Sequence, residues 1–110
     1  MLISDVPFCV ADWSALPETS QPGASGSVSQ RLFEHGNIRV RMVRYSPGYL
    51  ADHWCERGHV LLVLDGELTT ELADGTLHML RAGMSYQVAD GAAAHRSRTG
   101  ASGATLFIVD

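Results

Sequence analysis

An all-β barrel or sandwich is the fold class this sequence predicts. Two observations carry it. The apolar residues recur with period two in short runs, and the runs end at turns such as Ser46-Pro47-Gly48, Asp65-Gly66, Asp74-Gly75 and Ala89-Asp90-Gly91. Scale agrees: 110 residues build one core and not two, so a single domain over 1–110 is expected.

The elements follow in order. "DVPFCVADWSAL" is a mixed segment with Trp13 as its bulky anchor, and only residues near 12–16 have a helical pattern. "ETSQPGASGSVSQ" (18–30) is rich in Ser, Gly and Pro and has little to bury. Residues about 1–30 are therefore expected to form an N-terminal arm and flexible loop, with the barrel over about 31–110. "NIRVRMVRY" reads as a half-buried strand after a His-Gly-Asn turn, with Ile38, Val40 and Met42 facing inward and Arg39 and Arg41 read as a solvated outer face in preference to an anion-binding stripe. "HVLLVL" (59–64) is apolar on both faces, as in a strand covered on both sides. Asp65-Gly66 reads as a hairpin turn, "ELTTELA" (67–73) as the next strand and Asp74-Gly75 as a second hairpin turn. "TLHML", "MSYQV" and "ATLFIV" (104–109) complete the set.

Composition narrows the function classes. The net charge of -4 and pI near 5.6 argue against nucleic acid as a partner. Every basic residue is arginine, so there is no lysine for Schiff-base chemistry. "MLISDVPF" lacks the basic start of a secretion signal, and the longest apolar run, "VLLVL", is strand-length, so no membrane span is expected. Cys9 and Cys55 make no disulfide framework, and free thiols in the cytoplasm are the simpler reading. Ser14, Ser85 and Ser97 lack a nucleophile-elbow context.

The residues with chemical potential cluster in "DHWCERGHVLLVLDG". His53 and Cys55 are two apart and share a face on extended backbone. A turn at 56–58 followed by an antiparallel strand returns His59 beside them, and His95 reaches the set if the sheet closes. Imidazole and thiolate suit zinc, iron, nickel, manganese or copper rather than magnesium or calcium. Cys55 has two readings, a metal ligand or a buried inert thiol. Arg44 shares the parity of Ile38, Val40 and Met42, which makes it a candidate pocket arginine for a carboxylate. Tyr86 and Gln87 are candidate pocket-liners, one or the other on a given face. His35, His78 and Cys9 read as ordinary structural or surface residues.

At these residues the chain resembles a small single-domain cupin of the D-H-C-W-motif type. The first cupin motif runs Gly, five residues, His-x-His, three or four residues, Glu, six residues, Gly. Here Gly48 is followed by four residues, His53-Trp54-Cys55, three residues, His59, six residues and Gly66. The second motif runs Gly, five residues, Pro-x-Gly, two residues, His, three residues, Asn. Here Gly83 is followed by five residues, Ala89-Asp90-Gly91, three residues and His95, with Thr99 in place of Asn. The resemblance covers roughly residues 38–109. It implies a jelly-roll (double-stranded β-helix) barrel with one divalent transition metal at its mouth, held by His53, Cys55, His59 and His95. Cys55 then stands for an imidazole and His59 for a carboxylate. It also implies a small-molecule ligand in the barrel and a homodimer. Three functions are compatible with it: a metal-dependent enzyme of dioxygenase, isomerase or decarboxylase type acting on a small polar molecule, a non-catalytic small-molecule or metal-binding module, and a metal-free interaction domain.

Overall fold

A computed structural model describes residues 2–110. Eight strands dominate it: β1 (Thr19–Pro22), β2 (Ser27–His35), β3 (Ile38–Tyr45), β4 (His59–Leu72), β5 (Leu77–Arg81), β6 (Ser85–Val88), β7 (His95–Arg98) and β8 (Ala104–Val109). All pairings are antiparallel, in the order β1-β2-β3-β8-β4-β5, with β6 and β7 also on β4. The all-β expectation holds, and among the described residues the single helical turn is a short 3-10 piece at Trp13–Ala15.

β4 organises the molecule because it belongs to two sheets. Its first half, from His59, pairs with β8 and β6; its second half, to Leu72, pairs with β5 and β7. The join is at Asp65-Gly66, where the register against β8 shifts between Val63 and Asp65. Gly66 sits at φ 79°, and a Cβ there would meet the Gly103 carbonyl oxygen at 2.2 Å. The predicted hairpin turn at Asp65-Gly66 is thus a bulge that bends one continuous strand around the barrel corner. Asp74-Gly75 does turn the chain as predicted, with Gly75 N–H donating to the Leu72 carbonyl and the Thr76 N–H to Asp74 Oδ1.

The core fills the space between the sheets. Val43, Leu61, Val63, Leu68, Leu80, Ala104, Leu106 and Ile108 are its buried apolar residues. Leu61 and Val63 lie on the His59 face of β4, as the alternation predicts, while Val60 and Leu64 on the opposite face are 39% and 43% exposed. Thr70 is buried without cost because its hydroxyl bonds Ser97 Oγ at 2.8 Å.

Two expectations are corrected. Residues 18–30 are not simply a flexible loop: Thr19–Pro22 pairs with Ser27–Gln30, and β2 then runs along β3. Its residues are largely exposed Thr, Ser and Gln, so backbone pairing rather than burial holds this segment, and no hydrophobic alternation announces it. On β3 the inward face is the opposite of the one predicted. Val43 is buried, and Arg41, Val43 and Tyr45 line the barrel interior, whereas Ile38, Val40 and Met42 are half-buried on the outer side. The outer side of the neighbouring β8 is capped by Trp13, whose ring meets Phe107 edge-on at 6.3 Å. Both faces of β3 are therefore partly covered, and period two does not say which is inside. The N-terminal segment is further tied down by Arg31, which donates to the Ser14 and Leu16 carbonyls.

Candidate metal site and cavity

Three of the four predicted ligands converge. Cys55 and His95 exchange backbone hydrogen bonds of 2.8 and 2.9 Å, a lone antiparallel bridge that sets their side chains on one face. His95 also opens β7, paired to Leu72 at the far end of β4. His59 starts β4 in the other sheet, so His59 and His95 meet across the barrel with their Nε2 atoms 3.2 Å apart. Ligand atoms of Cys55, His59 and His95 all lie within 4.8 Å of one another. The route differs from the one predicted: the segment carrying Cys55 pairs with β7, and His59 arrives from its own strand. Gly58 makes that approach possible, packing so tightly on Asp90 that a Cβ would meet its backbone N at 2.4 Å.

His53 stands apart from this trio. The chain bends at Asp52-His53 rather than running extended, so the two-residue spacing to Cys55 does not put both side chains on one face. The His53 side chain is 75% exposed, lies on the rim of the same cavity and has Nδ1 2.6 Å from Asp52 Oδ1.

The two central imidazoles are held by different outer partners. His95 is 3% exposed, and its Nδ1–H donates to the Ala93 carbonyl at 2.8 Å. In neutral His95 that bond leaves Nε2 as a lone pair facing His59. His59 Nε2 is 2.8 Å from Tyr86 Oη, while its buried Nδ1 has no hydrogen-bond partner and faces Asp110 Oδ2 at 3.7 Å. Burial, reinforced by His95 and opposed by Asp110, lowers the His59 pKa to about 4. His59 is therefore neutral at pH 7, with a lone pair available. Burial likewise raises the Tyr86 hydroxyl above its ordinary range, so it stays protonated.

Behind His59 lies a charged cluster that sequence reading placed on solvent. Arg39 grips Asp110 with Nε at 2.9 Å and Nη2 at 3.0 Å, and Arg41 Nη2 adds a third bond at 3.1 Å. Burial works against ionisation of Asp110, but the Arg39 hydrogen bond and the charges of Arg41 and Arg39 prevail and lower its pKa. The signal available in the sequence was two arginines at i, i+2; the missing half was Asp110, some seventy residues away.

The trio fits a transition ion. A tetrahedral ion with Zn–N bonds of about 2.0–2.1 Å holds two imidazole nitrogens roughly 3.3 Å apart, close to the separation present here. The Ala93 carbonyl on the Nδ1 side of His95 is a partner that metal-bound histidines use. A cavity of about 250 Å³ adjoins the trio, and Tyr45, Tyr49, Arg41, Tyr86 and Gln30 contribute to its wall.

No protein-family model matches the sequence, and no curated protein matches it. Solved structures do. An RmlC-like cupin from Shewanella frigidimarina is 17% identical, with a TM-score of 0.69 over 90% of this chain and 86% of that one. The fold is that of the cupins. A sugar phosphate isomerase from a cupin superfamily, of Silicibacter pomeroyi, is 19% identical, with a TM-score of 0.70 over 92% of this chain and 74% of that one. Fe(II)-HppE with the alternative substrate (S)-1-HPP is 14% identical, with a TM-score of 0.75 over 94% of this chain and 60% of that one. These likenesses fix the cupin architecture and do not distinguish the D-H-C-W type.

Within this fold the predicted pocket residues part company. Tyr86 faces the cavity and touches His59 directly. Gln87, on the other face of β6, is exposed and accepts from Ser85 Oγ at 2.7 Å. Arg44 is turned outward, 62% exposed and paired with Glu18 at 2.9 Å, because the inward parity of β3 belongs to Arg41, Val43 and Tyr45. His35 and His78 are exposed strand residues away from the cavity. No helix is long and apolar enough to cross a membrane among the described residues.

Proposed function

We propose that this cupin holds one divalent transition metal through Cys55, His59 and His95 and acts there on a small polar molecule in the adjoining cavity. One observation carries the reading: a neutral His59 and a tautomerically fixed His95 meet Nε2 to Nε2 at 3.2 Å with Cys55 beside them. Bound to this set, the metal supplies a Lewis-acid or redox centre. The chain's own residues do the rest. Ala93 holds the His95 ring from behind through Nδ1, the Asp110 carboxylate faces His59 Nδ1 at 3.7 Å, and Tyr86 offers a hydroxyl to the same space.

Three protein ligands leave room for a further one, which favours an enzyme of the dioxygenase, isomerase or decarboxylase type. A second reading rests on His53: it lies on the cavity rim, and a fourth protein ligand would close the set and make a non-catalytic binding module. Elemental analysis of protein purified without a metal-affinity tag tests the site. Near one transition metal per chain is expected in the natural sequence and near none in His59→Ala. Absence of metal after reconstitution, or full occupancy in His59→Ala, overturns the assignment.

The same proposal includes a homodimer. Val60, Leu62 and Leu64 form the outer face of β4, two of them more than a third exposed, and a second copy would bury them. A monomeric mass by light scattering rejects this part.

A further inference from the structure

Arg41 has more donors than the protein uses. It points into the barrel between the cavity and Asp110, and its one side-chain hydrogen bond among the described residues is Nη2 to Asp110 Oδ2. Its Nε is buried and unpartnered. The carboxylate it shares is already gripped at both oxygens by Arg39, so two guanidinium charges meet one buried negative charge. Glu34 stands opposite Arg39 across the β2–β3 pair and acts on that charge, whereas Arg41 pairs with no carboxylate but Asp110 among the described residues. Asp52 on the rim is engaged with His53, and the cavity's other arginine, Arg96, is paired with Glu71 at 3.3 Å. A buried guanidinium with unpartnered donors is costly unless a ligand completes it.

The wall and the size of the space define that ligand. Gln30, Gln21 and Thr19 supply polar atoms along one side, and Tyr45 and Tyr49 stack at 4.2 Å on another. About 250 Å³ gives room for roughly eight non-hydrogen atoms at the ~30 Å³ each water occupies in the liquid. One guanidinium, partly spent on Asp110, matches a single planar monoanion better than a phosphate dianion.

We propose that Arg41 is the anion-binding residue of this cavity and that the molecule bound beside Cys55, His59 and His95 is a small monocarboxylate. The proposal names the ligand class for the site described under Proposed function and rests on that reading for the metal's part. Arg41 touches the ligand; Arg39 and Asp110 position it.

The test is calorimetric titration of the full chain, zinc-loaded and zinc-stripped, with lactate and with lactamide, its neutral isostere. A charge-assisted pair is worth ~1.5–3 kcal/mol, so lactate should bind roughly ten- to a hundredfold more tightly than lactamide. Arg41→Gln should erase that ratio while its zinc content, measured separately, stays at the natural level. Arg41→Lys should keep part of it. Equal binding of the two probes, an undiminished ratio in Arg41→Gln, or inorganic phosphate competing with lactate on equal terms overturns the proposal. If Arg41→Gln fails to fold, the lactate-to-lactamide ratio in the natural protein and in Arg41→Lys decides. A ratio that persists in protein unable to take zinc supports Arg41 and rejects the metal reading, so the two failures are told apart.

Discussion

His95 and His53 were both candidate ligands in the sequence, His53 matching the motif spacing better, and the fold treats them in opposite ways. His95 sits in a ladder, with backbone bonds to Cys55, a ring bond to Ala93 and 3% exposure. His53 sits on a bend, three-quarters exposed, bonded only to its neighbour Asp52. The difference teaches that strand-borne candidate ligands here are held in place by the fold itself. A loop-borne one must be ordered at the moment of binding, at a cost in conformational entropy.

The sharpest way to break that contrast is to remove each histidine in turn. His95→Ala should abolish metal binding outright, read as metal per chain after dialysis against a weak chelator. The pH dependence of the metal-free protein probes the same strand-borne side. His59 keeps its neutral form in the fold, with a pKa near 4 against 6.5 when unfolded. As pH falls from about 6.5 toward 4, the unfolded chain takes up a proton that the folded one refuses, so stability declines. The loss is at most about 3 kcal/mol. Chemical denaturation across that range should show the decline, and His59→Gln should remove this part of it. Gly66→Ala, which bends the strand carrying His59 against the Gly103 carbonyl, should cost about 1–3 kcal/mol by thermal or urea unfolding. His53→Ala should do least. Metal content is expected to stay, with affinity reduced by about 10–100-fold at most, as for groups outside the inner ligand set. Loss of metal equal to that of His95→Ala would erase the distinction between bend and ladder.

Much of the fold was legible because period two and glycine turns are local signals. β4's inward face of His59, Leu61 and Val63 and the Asp74-Gly75 hairpin could be read directly. What escaped depended on distant partners. Arg41 and Arg39 lie on the inner side of β3 because Asp110 receives them, and no local alternation encodes a carboxylate so far along the chain. Arg44 was aimed at the cavity by the same misplaced parity. Residues 19–30 hold strand through backbone pairing, which polar side chains do not advertise. Of the candidate site, spacing pointed to His59, His95 and Cys55, and the pairing that brings them together runs through β7 and not through a hairpin.

One strand shared by two sheets has a mechanical consequence. A sandwich of independent sheets can part like the covers of a book, but here β4 is stitched through both, with His59 near one end and the partner of His95 at the other. The sheets cannot separate without unzipping half of that strand from its two neighbours in one of them. An ion gripping His59 and His95 would therefore act as a clasp on a hinge that is already sewn. Its binding should slow amide exchange in both sheets together rather than at the site alone.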